Sequence, residues 1–239
     1  MQVKIFDTID QASQYAFERI ETALKQGATS FGLATGGTPE PLYQLLRQSD
    51  LDFSHAYAIN LDEYYGLAAD HPKSYATYMR QHLFDDKPFK ATFIPDGSNP
   101  DVQAETQKYE AIIAQHPIDL QILGIGRNGH IGFNEPGTAF DSTTALVDLT
   151  PSTIQANQRY FPSADQVPTQ AYSMGIGTIM KAKEIILLAF GEKKAQAIAQ
   201  VVRGHVTLDN PATVLNRHPN VTLVLDKAAA SLIPKESID

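Results

Sequence analysis

SFGLATGGTPEPLYQLLRQ, the segment at residues 30–48, reads as an apolar strand, a glycine-rich turn and a helix in immediate succession. The pattern predicts the strand over residues 30–34 and the helix over residues 39–48. The two glycines let the backbone of the turn approach a ligand closely, and Pro39 suits the first turn of a helix. A strand that passes directly into a helix is typical of a parallel sheet with helices packed on it.

The same alternation of strands and helices extends along the chain in both directions from this segment. Strands are predicted over residues 3–6, 56–61, 91–94, 119–123, 144–149, 185–190 and 221–225, and helices over residues 11–25, 75–84, 102–115 and 194–202. Buried strands separated by amphipathic helices predict the α/β class, with a single-domain, open, mostly parallel sheet that has helices on both faces. The sequence has no linker or internal repeat, so we expect one domain over residues 1–239. In such a sheet the ligand lies beyond the carboxyl ends of the strands.

The composition restricts the classes of protein to which the chain can belong. Its 239 residues include 19 Lys and Arg against 27 Asp and Glu, and the net charge of −8 argues against binding to nucleic acid or to an anionic membrane. There is no cysteine, so disulfides, thiol nucleophiles and iron–sulfur clusters are excluded. No apolar run reaches the ~18 residues that span a bilayer, and the N-terminus lacks the apolar stretch of a signal peptide. We expect a cytoplasmic protein.

The turn formed by Thr35, Gly36, Gly37 and Thr38 is the first candidate binding site. Its backbone N–H groups and the dipole of the helix that follows favour a phosphate. The turn is not a Walker A loop, because no Gly-Lys-Ser/Thr follows it, so ATP is not implied. A tight turn without a ligand is an equal alternative at this point.

Two adjacent carboxylates, Asp62 and Glu63, follow the strand predicted over residues 56–61. Carboxylates at the carboxyl end of a strand are well placed for proton transfer. Neighbouring residues of a strand point to opposite faces, so we expect at most one of the two to face a given ligand. The alternative for this pair is an acidic turn in solvent or a helix cap.

GIGRNGHIGFNEPG, residues 124–137, follows the strand predicted over residues 119–123. It formally matches the dinucleotide pattern G-x-G-x-x-G, but a poor helix start follows the glycines and the motif is not in the first strand–helix–strand unit. We interpret His130 and Glu135 as a proton-transferring pair, because a nearby carboxylate makes an imidazole more basic and fixes its tautomer. A histidine bonded to the backbone is the alternative. No metal is expected, since no H-x-x-x-H or H-E-x-x-H spacing exists.

Two cations, Arg159 and Lys194, complete the candidates. Arg159 lies in a polar segment flanked by prolines, and Lys194 lies at the start of the helix predicted over residues 194–202. A cation at a helix N-terminus opposes the helix dipole unless an anion is bound there. A solvated surface charge is the alternative for each, and Lys194 is the stronger candidate for a ligand contact.

Five segments, in their order and spacing, resemble the glucosamine-6-phosphate deaminase family over nearly the whole chain. They are TGGTP at residues 35–39, NLDEY at 60–64, GHIGFNEP at 129–136, NQRYF at 157–161 and SMGIGT at 173–178. The resemblance implies a Rossmann-like, NagB-type fold and the conversion of glucosamine 6-phosphate and water to fructose 6-phosphate and ammonia, without a cofactor or a metal. The expected partners are therefore glucosamine 6-phosphate and fructose 6-phosphate. No binding to nucleic acid or to a membrane is expected.

The resemblance also implies roles for individual residues. Asp62 resembles the base that moves a proton between C2 and C1, and His130 with Glu135 resembles the pair that opens the pyranose ring. The phosphate site implied by the resemblance consists of Thr35, Gly36, Gly37, Thr38, Arg159 and Lys194. Asn128 departs from the family pattern, because many members have Asp there in support of the histidine. Asparagine can orient an imidazole but cannot neutralise its cation, so either Glu135 carries that task alone or the histidine titrates at lower pH.

Two other functions remain open on the sequence. A 6-phosphogluconolactonase is similar in fold and shares a glycine-rich loop with a Gly-His step, and lactone hydrolysis would use the same His130 and phosphate site. A non-catalytic sugar-phosphate sensor is the second alternative. The Phe-Asn-Glu-Pro sequence at residues 133–136 and the Asp-Glu-Tyr sequence at residues 62–64 favour the deaminase.

Some members of the family are hexamers that N-acetylglucosamine 6-phosphate activates by binding between subunits to basic residues of the strand after the catalytic loop. The matching positions here are Ala145 and Val147, next to Asp148, and few residues follow the last predicted strand. An uncharged pair beside a carboxylate does not hold a phosphate dianion. We therefore expect a non-allosteric enzyme that is a monomer and not a hexamer. We also expect residues 150–168 to form a lid over the site.

Overall fold

The structure of the chain, a computed structural model, describes residues 1–234 apart from the side chain of Ala164, so the predicted domain end at residue 239 lies outside the described residues. The strands in this part are β1 (Gln2–Phe6), β2 (Ser30–Leu33), β3 (Tyr57–Asn60), β4 (Asp62–Tyr64), β5 (Ala91–Phe93), β6 (Leu120–Leu123), β7 (Ala145–Asp148), β8 (Gln170–Ser173), β9 (Glu184–Ala189) and β10 (Val221–Asp226). The α-helices are α1 (Ile9–Lys25), α2 (Glu40–Gln48), α3 (Tyr75–Met79), α4 (Val102–Gln115), α5 (Pro151–Asn157), α6 (Ile176–Ile179) and α7 (Ala195–Val202). Over these described residues, no helix combines the length and the apolar character that crossing a membrane requires.

Seven of the strands form one open sheet in the order β1-β10-β9-β6-β2-β3-β5, with parallel pairing between neighbours. The predicted open, mostly parallel sheet is therefore confirmed. From the centre of the sheet, β2, β3 and β5 follow one another toward one edge, and β6, β9 and β10 follow one another toward the other. A crevice is expected between β2 and β6, because connections leave the carboxyl ends of these two strands in opposite directions.

Gly32 allows β2 and β6 to pair at the centre of this sheet. The amide of Gln121 in β6, which is fully buried, covers the position that a side chain at residue 32 would occupy. A Cβ placed on Gly32 would lie 2.0 Å from Oε1 of Gln121, which is an impossible contact. The glycine within the segment at residues 30–34 is therefore required by packing and not by a turn.

Helices cover both faces of the sheet, as the sequence predicts. One face buries apolar residues of α1 and α2, among them Ala16, Ile20, Leu42 and Leu46. The other face buries residues of α4 and α7, among them Tyr109, Ile113, Ile198 and Val201. Burial of a large apolar side chain contributes about 1.5–3 kcal/mol, so the two layers fix the sheet as a rigid platform for the loops at its carboxyl edge.

The other three strands form a small antiparallel sheet in the order β4-β8-β7, which the sequence does not predict. The predicted strand over residues 144–149 is β7 of this sheet and does not belong to the parallel one. Asp62 of β4 and Ala145 of β7 both pair with Ser173 of β8. β4 has only three residues and starts two residues after β3, so it has no periodic signal of its own.

Two predicted helices differ in detail from those observed. The helix predicted over residues 75–84 is α3 followed by a π-helical turn, Arg80–Phe84. The helix predicted from Lys194 starts one residue later, because Lys194 ends a 3₁₀ turn, Glu192–Lys194, and is the N-cap of α7. The segment predicted as a lid contains α5 and the 3₁₀ turns Gln158–Tyr160 and Ala164–Gln166, and its motion stays a prediction.

Candidate active site

The candidate active site lies at the carboxyl edge of the parallel sheet, around the ends of β2 and β6, where the strand order predicts a crevice. The glycine-rich turn follows β2, and residues 124–137 follow β6. Asp62 follows β3 after one intervening residue, and Lys194 follows β9. Parallel strands present their carboxyl ends at the same edge, so these segments meet although up to 159 residues separate them in sequence.

Asp62 is a buried carboxylate beside the loop that follows β6. It is 6% exposed, and its Oδ2 would lie 3.7 Å from a Cβ placed on Gly132, a residue with φ of +58°. Burial raises the pKa of Asp62 to about 8, and the negative charge of Glu63 adds to the increase. A carboxyl group whose pKa is near the working pH is suited to take up a proton and return it.

Glu63 points away from Asp62 and caps helix α3. Its Oε1 accepts the backbone N–H groups of Tyr64 at 2.9 Å and Tyr75 at 2.8 Å, and its Oε2 accepts that of Ala76 at 2.9 Å. Burial raises the pKa of Glu63 to about 7, although the three hydrogen bonds oppose this increase. The helix-cap alternative is therefore correct for Glu63, and the opposite orientation of the two neighbours follows the strand rule.

His130 and Glu135 form a close pair, with 3.3 Å between Nδ1 of the ring and Oε1 of the carboxylate. This distance permits an ion pair, but the ring is not aligned for a straight hydrogen bond. Burial by itself raises the pKa of Glu135, but its contacts with His130, Thr153 and Asn128 outweigh burial and lower the pKa to about 2. Glu135 is therefore ionised, and it favours the tautomer of His130 that carries a proton on Nδ1.

Asn128 supports Glu135 and not the imidazole. Its Nδ2 donates to Oε2 of Glu135 at 2.6 Å, and its Oδ1 accepts the backbone N–H of His130 at 3.3 Å. The sequence suggested that this asparagine could orient the imidazole ring directly. Its side-chain amide bonds instead to the carboxylate of Glu135 and to the backbone of His130. An aspartate here would bring two carboxylates into contact, which is costly unless they share a proton.

Lys194 lies in a cluster of cations at the edge of the crevice. Its Nζ donates to the carbonyl oxygen of Ile125 at 2.5 Å. Burial, together with the positive charges of Arg127 and Arg159, lowers the pKa of Lys194 to about 8. Three like charges repel one another, and a bound anion relieves that repulsion.

Arg159 connects this cluster with the glycine-rich turn. Its guanidinium carbon lies 4.6 Å from the centre of the Tyr160 ring, and Nη2 donates to the Tyr160 hydroxyl at 2.6 Å. The same hydroxyl lies 3.9 Å from the position of a Cβ on Gly37. Gly36 has φ of +101°, a backbone conformation that favours glycine. Its carbonyl oxygen accepts a hydrogen bond from the Tyr78 hydroxyl at 2.8 Å, which holds the turn in place.

The two threonines of the turn are partly buried, and Thr35 has a side-chain hydrogen bond with Tyr75. Thr38 is close to the start of α2, where the helix dipole favours an anion. The predicted phosphate residues on the turn therefore lie at the positive end of a nine-residue helix.

Sequence reasoning missed two contributors to the site. Arg127 is an exposed cation in the loop after β6, directly before Asn128, and its place in that loop was the available signal. Thr153 on α5 donates a hydrogen bond to Glu135, and no local pattern could reveal it because 18 residues separate the two in sequence. Only for Thr153 does the fold bring a distant segment to the site.

The arrangement is suited to acid–base chemistry on a small anionic molecule. It combines a buried carboxylate with a raised pKa, an imidazole–carboxylate pair and a cluster of three cations beside a helix N-terminus. Over residues 1–234, three or more His, Asp or Glu side chains are nowhere grouped closely enough to hold a metal ion.

Comparison with known proteins gives consistent matches along the whole chain. A family model described as glucosamine-6-phosphate isomerases/6-phosphogluconolactonase matches residues 6–224. The chain is 58% identical to a glucosamine-6-phosphate deaminase of Leuconostoc citreum, covering 97% of this chain and 99% of that protein, and 54% identical to one of Lacticaseibacillus paracasei, covering 99% and 100%.

Solved structures agree with these matches. A monomeric glucosamine-6-phosphate deaminase, described as a missing link of the NagB superfamily, has a TM-score of 0.93 and 43% identity, covering 97% of this chain and 100% of that chain. The 6-phosphogluconolactonase of Trypanosoma cruzi has a TM-score of 0.79 and 21% identity, covering 96% of each chain, which is a likeness of fold.

Proposed function

This chain belongs to the family of glucosamine-6-phosphate isomerases and 6-phosphogluconolactonases, and we propose that it is the glucosamine-6-phosphate deaminase of that family. The reaction converts glucosamine 6-phosphate and water to fructose 6-phosphate and ammonia. The observation that carries the proposal is Asp62, a buried carboxylate whose pKa is raised to about 8. Isomerisation needs a group that removes a proton from carbon, whereas hydrolysis of a lactone does not. More than 50% identity with proteins named as deaminases supports the same choice.

The phosphate of the substrate is the handle that positions the sugar. We assign it to the turn Thr35, Gly36, Gly37 and Thr38, to Arg159 and to Lys194, with Arg127 as a further cation. The phosphate takes no part in the bond changes, so its binding energy serves to orient C1 and C2. The mutual repulsion of Lys194, Arg127 and Arg159, which a bound phosphate would relieve, supports this assignment.

Ring opening is the task of His130 and Glu135. The C1–O5 bond breaks, the ring oxygen O5 gains a proton and the C1 hydroxyl loses one, which leaves an open-chain aldehyde. A single imidazole can return to O5 the proton it takes from the hydroxyl. The adjacent Glu135 carboxylate stabilises the imidazolium that exists between these two transfers.

Isomerisation and loss of the amine follow on the open chain. Asp62 takes the proton from C2 while the aldehyde oxygen O1 gains the proton that the ammonium group of the substrate loses, which gives an enolamine. Asp62 then returns its proton to C1, which leaves a protonated C2 imine. Water adds to C2, the C2–N bond breaks, and ammonia leaves as fructose 6-phosphate forms. The side chains of the site supply the proton transfers, so neither a redox cofactor nor a thiol nucleophile is needed.

The deciding experiment is an assay of ammonia release from glucosamine 6-phosphate by the purified chain. We expect turnover with this substrate and no hydrolysis of 6-phosphogluconolactone above the spontaneous rate. Lactone hydrolysis without ammonia release would make the chain a lactonase. Binding of the amino sugar without turnover would make it a sensor.

Affinity for the product is expected to fall as pH rises through 8. Lys194 is protonated below its pKa of about 8 and loses its charge above it. A lost charge-assisted contact should weaken binding of fructose 6-phosphate about 10-fold by pH 9.5. Fructose 6-phosphate has no amine, so titration of the ligand does not contribute at this pH. Calorimetric titration between pH 7 and 9.5 measures the effect.

Lys194→Arg is the matched variant for this pH dependence. Arginine stays charged over the whole range, so its affinity for the product should not fall above pH 8. An equal decrease in product affinity in both proteins would show that Lys194 does not bind the phosphate.

We further propose that the enzyme is not allosteric. The positions that match the effector site of hexameric members are Ala145 and Val147 in β7, next to Asp148, whose carboxylate accepts the Gln170 amide at 2.9 Å. These side chains provide no charged donor to a phosphate and add a like charge. Rate curves should be hyperbolic and unchanged by N-acetylglucosamine 6-phosphate. A sigmoidal curve that the effector makes hyperbolic would contradict this prediction.

We propose that the chain works as a monomer and as one domain in the cytoplasm. The similarity to a solved deaminase described as monomeric supports the first point. A sugar phosphate is charged and does not cross a bilayer unaided, which supports a location in the cytoplasm. Light scattering tests the assembly, and a hexameric mass would overturn it.

A further inference from the structure

Helix α5 places two threonine hydroxyls against the carboxylate that serves His130. Thr153 is 5% exposed, and its Oγ1 donates to Oε1 of Glu135 at 2.5 Å. Thr150 donates to the same oxygen at 3.2 Å. Nδ1 of His130 lies 3.3 Å from this same Oε1, so the imidazole and α5 share one carboxylate oxygen.

We propose that Thr153 is a positioning residue that holds Glu135 against His130 for ring opening. The proposal rests on the proposed function, since it assigns a partner to the ring-opening pair. Asn128 holds the other oxygen, Oε2, from the loop that carries the histidine. Thr153 fixes Oε1 from a different element, so the orientation of the carboxylate depends on where α5 lies.

Capping of α5 does not explain the contact of Thr153. Thr150 is the N-cap, and its Oγ1 accepts the backbone N–H of Thr153 at 3.3 Å. A threonine in the first turn of a helix commonly bonds to a local backbone group or to water. The Thr153 hydroxyl instead reaches a carboxylate 18 residues away, and this bond helps to lower the pKa of Glu135 to about 2.

The same helix leads to the phosphate site. α5 has seven residues, about 10 Å in length, and is followed at once by the turn Gln158–Tyr160 that contains Arg159. Arg159 is near enough to Lys194 to affect its pKa. Thr153, which bonds to Glu135, and Arg159, a proposed phosphate-binding residue, therefore lie close together on one short stretch of chain.

Three variants test the proposal. Thr153→Val removes the hydroxyl and keeps the shape, and Thr153→Ser keeps the hydroxyl. Thr144→Val is the matched control, because Thr144 is also 5% exposed and its Oγ1 also donates to a glutamate, Glu110, at 2.6 Å, away from the loop that carries His130. Each protein is assayed for kcat and KM with glucosamine 6-phosphate and for its melting temperature.

We expect Thr153→Val to lower kcat about 10-fold, the scale of one charge-assisted hydrogen bond, with KM nearly unchanged. Thr153→Ser should restore most of kcat. Thr144→Val should lose comparable thermal stability but keep its kcat. Affinity for the alditol made by reducing the substrate, which has no ring to open, should be the same in the parent and in Thr153→Val.

The outcomes separate this proposal from the proposed function. If the parent protein releases ammonia and Thr153→Val has the same kcat, Thr153 has no positioning role and the deaminase assignment stands. If Thr144→Val loses as much kcat as Thr153→Val, or if Thr153→Ser does not restore kcat, the role of Thr153 is only structural. Weaker binding of the alditol by Thr153→Val would assign it to substrate binding. If the parent releases no ammonia, the proposed function fails first.

Discussion

Replacing Asp62 by asparagine is expected to lower kcat by about 10²-fold or more and to leave KM almost unchanged. Asparagine has nearly the same shape as aspartate, so the buried position remains filled, but an amide cannot take the proton from C2. The proposed phosphate site consists of residues on other elements, so binding of the substrate should persist. Steady-state ammonia release measures the effect, and near-normal turnover by the variant would contradict the role of Asp62.

The same substitution should make the folded protein more stable at neutral pH. The folded state raises the pKa of Asp62 to about 8, from an ordinary value near 4, so the folded state binds more protons than the unfolded state between these limits. The stability of the parent therefore falls as pH rises from about 4 to 8, and Asp62→Asn removes this contribution. The gain in melting temperature should be larger at pH 8 than at pH 5, and a destabilised variant would mean that its lost activity reports misfolding.

Glu63→Gln is the control for a carboxylate next to Asp62. Glu63 caps α3 through the backbone N–H groups of Tyr75 and Ala76 and also accepts that of Tyr64, and glutamine retains only one acceptor oxygen. We expect lower thermal stability with kcat close to that of the parent, which is the reverse of the Asp62→Asn result. Equal losses of kcat in both variants would show that any change at this position disturbs the site.

Replacing His130 by glutamine should lower kcat by about 10²-fold, because glutamine can contact Glu135 but cannot carry a proton between O1 and O5. The ring-opening step would then depend on water. The cations and the glycine-rich turn are unchanged in this variant, so the phosphate should bind as before. Steady-state kinetics with glucosamine 6-phosphate measures the loss.

Binding of an unreactive hexose 6-phosphate tests whether His130 acts in chemistry or in binding. We expect the affinity of His130→Gln for this analogue to be within a few-fold of the parent. A large loss of affinity with little change in turnover would make His130 a binding residue. The alditol of the substrate is the second probe, since it binds without the need for ring opening.

Much of the candidate site followed from short-range sequence signals. The pattern of residues 30–48 predicts a strand, a turn and a helix, and the structure has β2 and α2 there. The loop with His130 and Glu135 follows the predicted strand at residues 119–123, and the two side chains lie 3.3 Å apart. These features depend on residues close in sequence, and the carboxyl-edge rule of parallel sheets then places the loops near one another.

Other parts of the site had no such signal. β4 and β8 pair with each other over more than 100 residues of sequence, and each is too short to show a clear alternation. The pairing of Asp62 with Ser173 helps to bury this carboxylate, and burial is the main cause of its raised pKa. A pKa that depends on burial cannot be inferred from the identity of a residue.

The sequence by itself determined the class of fold, and it predicted the edge of the sheet that carries the candidate site and the residues that we propose for proton transfer and phosphate binding, because periodicity and strand-end loops are local properties. Only the tertiary structure decided that Asp62 lies beside the loop after β6 while Glu63 caps a helix, that Arg127 lies near Lys194, and that Thr153 donates a hydrogen bond to Glu135. These results depend on the direction of side chains and on contacts between distant segments. Both are set by packing against the whole sheet, which no local pattern encodes.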